Sequence, residues 1–97
     1  MKVKCILRNV KLSTGEEFLA LCVNKNYIEN PTEEIKSSEA KTFDVRLARK
    51  SGIDLKADVP ANARYCDIEV TEGQAFLSKK TKYPTIVIRQ VDSIKGY

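Results

Sequence analysis

Apolar residues in this chain recur at every second position far more often than at helical spacing, the mark of β-strands with one buried face. In KVKCILRNV, Val3, Cys5 and Leu7 fall on one side, and Lys2, Lys4, Ile6 and Arg8 on the other. Ser13-Thr14-Gly15-Glu16 is turn chemistry, because Gly15 accepts a positive φ and Ser13 can bond its own backbone. EFLALCV follows with apolar residues on both faces, as in a central or strongly curved strand. The first two strands are therefore expected to form an antiparallel hairpin.

Between Asn24 and Ser38 the alternation dissolves into NKNYIENPTEEIKSS, read as a long polar loop or extended hairpin tip. Within it, Pro31-Thr32-Glu33-Glu34 suits the start of one short helical turn, since proline and acids favour that end. Alternation returns in KTFDVRLAR, with Phe43, Val45 and Leu47 inward and Thr42, Asp44 and Arg46 outward. Ser51-Gly52 marks a turn, and IDLKADVP alternates again through Ile53, Leu55, Ala57 and Val59 until Pro60 stops it. A short helix over VPANAR is the weaker alternative there. RYCDIEV places Cys66, Ile68 and Val70 inside and Tyr65, Asp67 and Glu69 outside. QAFL and PTIVIRQV supply the last strands, and DSIKGY reads as a tail.

Five or six short strands with little helix predict an all-β fold: a small antiparallel β-barrel, OB-like, forming one domain over residues 1–97. Closure would hide sheet edges that apolar strands otherwise expose. No apolar run approaches the ~20 residues of a membrane-spanning helix, and the first residues lack the continuous apolar stretch of a signal peptide. Cys5, Cys22 and Cys66 are odd in number and widely spaced, which argues against a disulfide framework and for a reducing, cytoplasmic setting. They are expected as small buried hydrophobes.

Chemistry narrows further. The 97 residues contain no histidine and no Cys-x-x-Cys, so ordinary zinc spacings and histidine-assisted nucleophiles are not available. Four scattered glycines make no phosphate loop. The expectation is a non-enzyme with no metal and no cofactor. Net charge is +4, and the half from Arg49 to Tyr97 carries nine basic residues against six acidic ones. A mild positive excess of this kind suits a nucleic-acid partner.

Its sharpest local expression is LSKKTKYP, Leu77 to Pro84, between two predicted strands. Lys79, Lys80 and Lys82 offer ammonium groups on flexible stems to a phosphate chain, and Tyr83 offers a ring face to a base. The plainer alternative is a solvated turn. Lys4, Arg8 and Arg46 face outward on their strands, and Tyr65 does so beside Arg64. Arg89, inside TIVIRQV, must reach solvent, a ligand or an acid such as Asp44, Asp67 or Glu69. Tyr27 is a further stacking candidate.

The layout KLSTGEEFLAL, KTFDVRL, ADVPANARYCDIEV and a final apolar strand resembles the helicase-processivity proteins of integrative conjugative elements in low-GC Gram-positive bacteria. The matching places are Thr14, Gly15, Phe18, Phe43, Asp44, Asp92 and Ile94. A fainter similarity, through Pro60, Tyr65 and Glu72 to Gln74, runs to the filamentous-phage gene V type of single-strand binder. Both resemblances imply a small β-protein that binds single-stranded DNA without sequence preference during replication or transfer of a phage or mobile element. They also imply pairing of two copies and a helicase or replication protein as partner. RNA remains the alternative nucleic acid, and no membrane is involved. The other class of function is a protein-interaction module, a phage-encoded inhibitor or adaptor that uses the acidic 29–39 segment against a host protein.

Overall fold

Hydrogen bonding follows the alternation closely in the first half of the chain. The computed structural model describes residues 1–79 and 84–97. Strand β1 (Lys2–Lys11) turns at Gly15, whose φ is 89°, into β2 (Glu17–Asn24), and the two pair antiparallel from Ile6–Cys22 to Lys11–Glu17. β4 (Thr42–Leu47) pairs antiparallel with β2, and β5 (Tyr65–Glu69) with β1. A two-residue strand, β3 (Ile28–Glu29), adds to the start of β1. β6 (Ala75–Ser78) and β7 (Thr85–Ile88) pair antiparallel, and β7 lies parallel to β4. β8 (Ser93–Gly96) extends the other side along β5. The protein is thus predominantly β: one eight-stranded sheet in the order β6-β7-β4-β2-β1-β5-β8, with β3 on β1.

That sheet cannot be flat. β7 and β8 are five strand steps apart along it, about 24 Å at the usual spacing. Only residues 89–92 join them, a reach of about 17 Å. The sheet must curl, and its inner face makes one core. Val3, Cys5, Leu21, Val23, Phe43, Val45, Cys66, Ile68, Leu77, Ile86 and Ile88 are all buried in it. Each fully buried aliphatic or Phe side chain stabilises the fold by about 1.5–3 kcal/mol, so Phe43, Ile68, Ile86 and Ile88, all with no exposed surface, anchor three different strands, β4, β5 and β7.

The sheet does not close into the barrel expected from the sequence. The chain after β5 breaks at Thr71-Glu72-Gly73, where Gly73 takes a φ of 90°. β5 therefore pairs with β1, while its continuation β6 pairs with β7. One backbone bond extends each neighbouring ladder into the corner: Arg89 N–H donates to the Gln74 carbonyl beyond β6–β7, and Asp92 N–H to that of Glu69 beyond β5–β8. The β4–β7 pair is also parallel, where an antiparallel sheet was expected.

Three segments differ from the periodicity. Ile53 to Val59 is not a strand: Asp54 accepts a hydrogen bond from the Lys56 N–H and caps α2 (Leu55–Asp58). Four alternating apolar residues are too few to separate a strand from a helical turn, and the cap decides it. The polar stretch after Asn24 is ordered. A 3-10 turn over Lys25–Tyr27 leads into β3, and Thr32 caps α1 (Glu33–Ser37), the helical turn that Pro31 and the acids favour. α1 packs against β6 and buries Ile35 completely. No helix forms over VPANAR. The DSIKGY tail, lastly, is strand β8. Gly96 permits this, because a Cβ there would collide with Val59.

Candidate nucleic-acid interface

The curl that buries one face leaves the even-numbered residues of β1 outside. Lys4, Ile6 and Arg8 project there, and the register sets Lys4 opposite Asp67 and Ile6 opposite Tyr65. β8 brings Lys95 beside Asp67. Tyr97, just beyond it, exchanges two backbone hydrogen bonds with Tyr65, each 2.9 Å. The Tyr65 and Tyr97 rings consequently meet, with centroids 5.7 Å apart and planes tilted by 33°, within the range of favourable aromatic pairs.

Polar contacts fix this pair. The Tyr97 hydroxyl donates to Asp67 Oδ1 at 3.2 Å, and Lys4 Nζ stands 5.9 Å from the Tyr97 ring centroid. A hydrogen bond to Tyr97, then the charges of Tyr97, Asp67 and Tyr27, hold the Lys4 ammonium above the ordinary lysine range. Lys2 is engaged with Glu69 at 3.3 Å. Among the described residues, Lys4 and Arg8 have no ion-pair partner.

Tyr27 reaches the same place from the 3-10 turn. Asn24 caps that turn by accepting the Asn26 N–H at 2.9 Å. Lys25 Nζ ties it to α1 through the carbonyls of Lys36 and Ser38, at 2.9 and 2.6 Å. Lys4, Ile6, Asn24, Tyr27 and Tyr65 together line an open cavity of about 270 Å³. Exposed apolar surface and three tyrosine rings beside Lys4 and Arg8 can take planar, anionic ligands: ring faces for bases, ammonium and guanidinium groups for phosphates.

The residues expected from the sequence divide between this place and others. Lys4, Arg8 and Tyr65 share the tyrosine face. Arg46 instead lines a larger groove of about 830 Å³ with Phe18, Asp44, Asp54 and Lys56, where acids and bases balance. Lys79 is exposed just after β6. Lys80, Lys82 and Tyr83 lie outside the described residues. Arg89 is not in mid-strand: β7 ends at Ile88, and the guanidinium lies 4.7 Å from the Phe76 ring centroid. No acid at Asp44, Asp67 or Glu69 pairs with it. The apolar run continued through Arg89 in the sequence, but the corner at 89–92 takes it out of the sheet.

Tyr97 escaped sequence reasoning, because the tail was not recognised as a strand; its signal was the alternation of Ile94 and Gly96 against Ser93 and Lys95. Cys5 and Cys66 are buried directly opposite each other. Burial pushes both thiols up, Cys66 to about 11 and Cys5 further, so they remain protonated and unreactive near neutrality. Cys22 is on the outer face, opposite Ile6. Among the described residues no group of three or more His, Cys, Asp or Glu could hold a metal ion, and no helix is long and apolar enough to cross a membrane. Comparison with protein-family models, curated proteins and solved structures returned no match to this chain.

Proposed function

We propose that the chain is a non-enzymatic single-stranded DNA-binding protein, acting with little sequence preference in the replication or transfer of a phage or mobile element. The observation that carries the reading is the Tyr65–Tyr97 ring pair with Lys4 against it, on the outer face of a curled sheet. Stacking on such rings tolerates every base, since every base has a π-face. Lys4 and Arg8 neutralise phosphates along β1, and Lys79, exposed just after β6, adds positive charge.

Strand order supports an OB-like reading. β5-β1-β2-β4 places the fourth strand of a Greek key beside the first. β7 joins β4 as a fifth strand on a partly open, curled sheet, as an OB-fold does. The resemblances through Thr14, Gly15, Phe18, Phe43, Asp44, Asp92 and Ile94 point to the same class.

Fluorescence anisotropy with labelled single- and double-stranded oligonucleotides across a salt series tests the proposal. Tighter binding to single strands, weakening linearly in log affinity against log salt, is the expected result. No binding to single strands at low salt sinks it.

A further inference from the structure

Resting on that reading, we infer that the cavity formed by Lys4, Ile6, Asn24, Tyr27 and Tyr65 is a slot for one unstacked nucleobase that prefers keto bases over amino bases. Ile6 provides an apolar floor, with 45% of its surface exposed. Tyr27 and Tyr65 enter the cavity from different elements and present ring surface to a planar ligand. The slot is braced before any ligand arrives. Lys25 holds the Tyr27 turn to α1, and backbone bonds hold Tyr65 to Tyr97.

Its polar groups are biased toward donation. An asparagine normally offers an acceptor and two donors. Here Asn24 Oδ1 already receives the Asn26 N–H, which fixes the amide orientation and leaves the Nδ2 hydrogens for a ligand. Lys4 contributes an ammonium, also a donor alone. The carboxylate nearest by register, Asp67, is not in the lining of this cavity and accepts the Tyr97 hydroxyl. A carbonyl at the pyrimidine C4 or purine C6 position, as in thymine, uracil or guanine, satisfies such donors when that edge enters the slot. The exocyclic amines of cytosine and adenine meet donor with donor. One slot of this kind adds a modest preference to binding that is otherwise indifferent to sequence.

The test is anisotropy with labelled oligomers of thymidine, deoxyuridine and deoxycytidine, which have equal ring size and backbone. Thymidine and deoxyuridine oligomers should bind alike, about three- to ten-fold tighter than deoxycytidine, the worth of one or two hydrogen bonds. Asn24→Asp keeps a capping oxygen, so the turn is retained, but it replaces the donors with acceptors and should abolish or reverse the preference. Tyr27→Ala should weaken all three oligomers together. Equal affinities for thymidine and deoxycytidine, or a preference that survives Asn24→Asp, would overturn the slot while leaving single-strand binding intact. A deoxyuridine oligomer as weak as deoxycytidine would overturn it in favour of a methyl contact. Failure of every oligomer to bind would overturn both readings.

Discussion

Two regions of this protein present cations on the outside, and they differ in what accompanies the charge. On the β1–β5–β8 face, Lys4 and Arg8 stand beside Ile6, Tyr65 and Tyr97, with Tyr27 closing in from a braced turn. At the β6–β7 edge, Lys79 is exposed, and Arg89 is occupied with Phe76. The second region is conspicuous in the sequence because its lysines are contiguous. The first is scattered over residues 4 to 97, and only strand pairing assembles it. Density of charge along a chain therefore does not reveal which rings and cations the sheet makes neighbours.

Removing one ring should have the largest effect. Tyr65→Ala should lower single-strand affinity by between about five- and one-hundred-fold, the range for a lost stacking partner. Tyr65→Phe should be nearly neutral. Equal losses from both would assign the effect to the hydroxyl. Replacing Lys79, Lys80 and Lys82 together by alanine should cost less at physiological salt. It should also act alike on all base compositions, flattening the salt slope by up to about 0.7 for each phosphate contact removed. A change in base preference would mean that this edge reads bases as well.

Arg46→Ala should alter affinity by less than about two-fold, the level of a charge remote from the site, because Arg46 belongs to the mixed-charge groove beside Phe18. A larger loss would move the interface toward β2 and β4. Thiol labelling resolves the finest difference. Near neutral pH an alkylating reagent should modify Cys22 alone. Cys5 and Cys66 have raised pKa values from burial, so their thiolate fraction is suppressed until the pH approaches about 11 for Cys66. The same sign makes the fold less stable as pH rises above the ordinary thiol range toward that value, since only the unfolded chain gains from ionising there. A bound oligonucleotide should slow Cys22 modification, because Cys22 lies opposite Ile6 on the outer face.

How far the sequence disclosed this architecture depends on the element. β1, β4 and β5 were legible because each has one buried and one solvated face, and their alternation follows directly. The Thr14-Gly15 turn and the Pro31-Thr32-Glu33 helix start were legible from backbone chemistry. The parallel β4–β7 pair was not, since alternation says which residues are inside but not which strand is next. Ile53 to Val59 misled for a different reason: Asp54 captures the Lys56 N–H and bends four alternating apolar residues into a helical turn. For the site, Lys4, Arg8 and Tyr65 were legible as outward residues. Tyr97 was not, because the alternation through Ile94 and Gly96 marks a strand but not its partner, and only the ladder to β5 sets Tyr97 beside Tyr65.

On the proposed function, single strands lie on the tyrosine face. Backbone amide shift mapping by NMR, titrating the protein with a thymidine oligomer, tests it most directly. The largest changes are expected at Lys4, Ile6, Asn24, Tyr27, Tyr65 and Tyr97, with smaller ones near Lys79. Changes confined to the β6–β7 edge, or to the groove at Phe18 and Arg46, would contradict it.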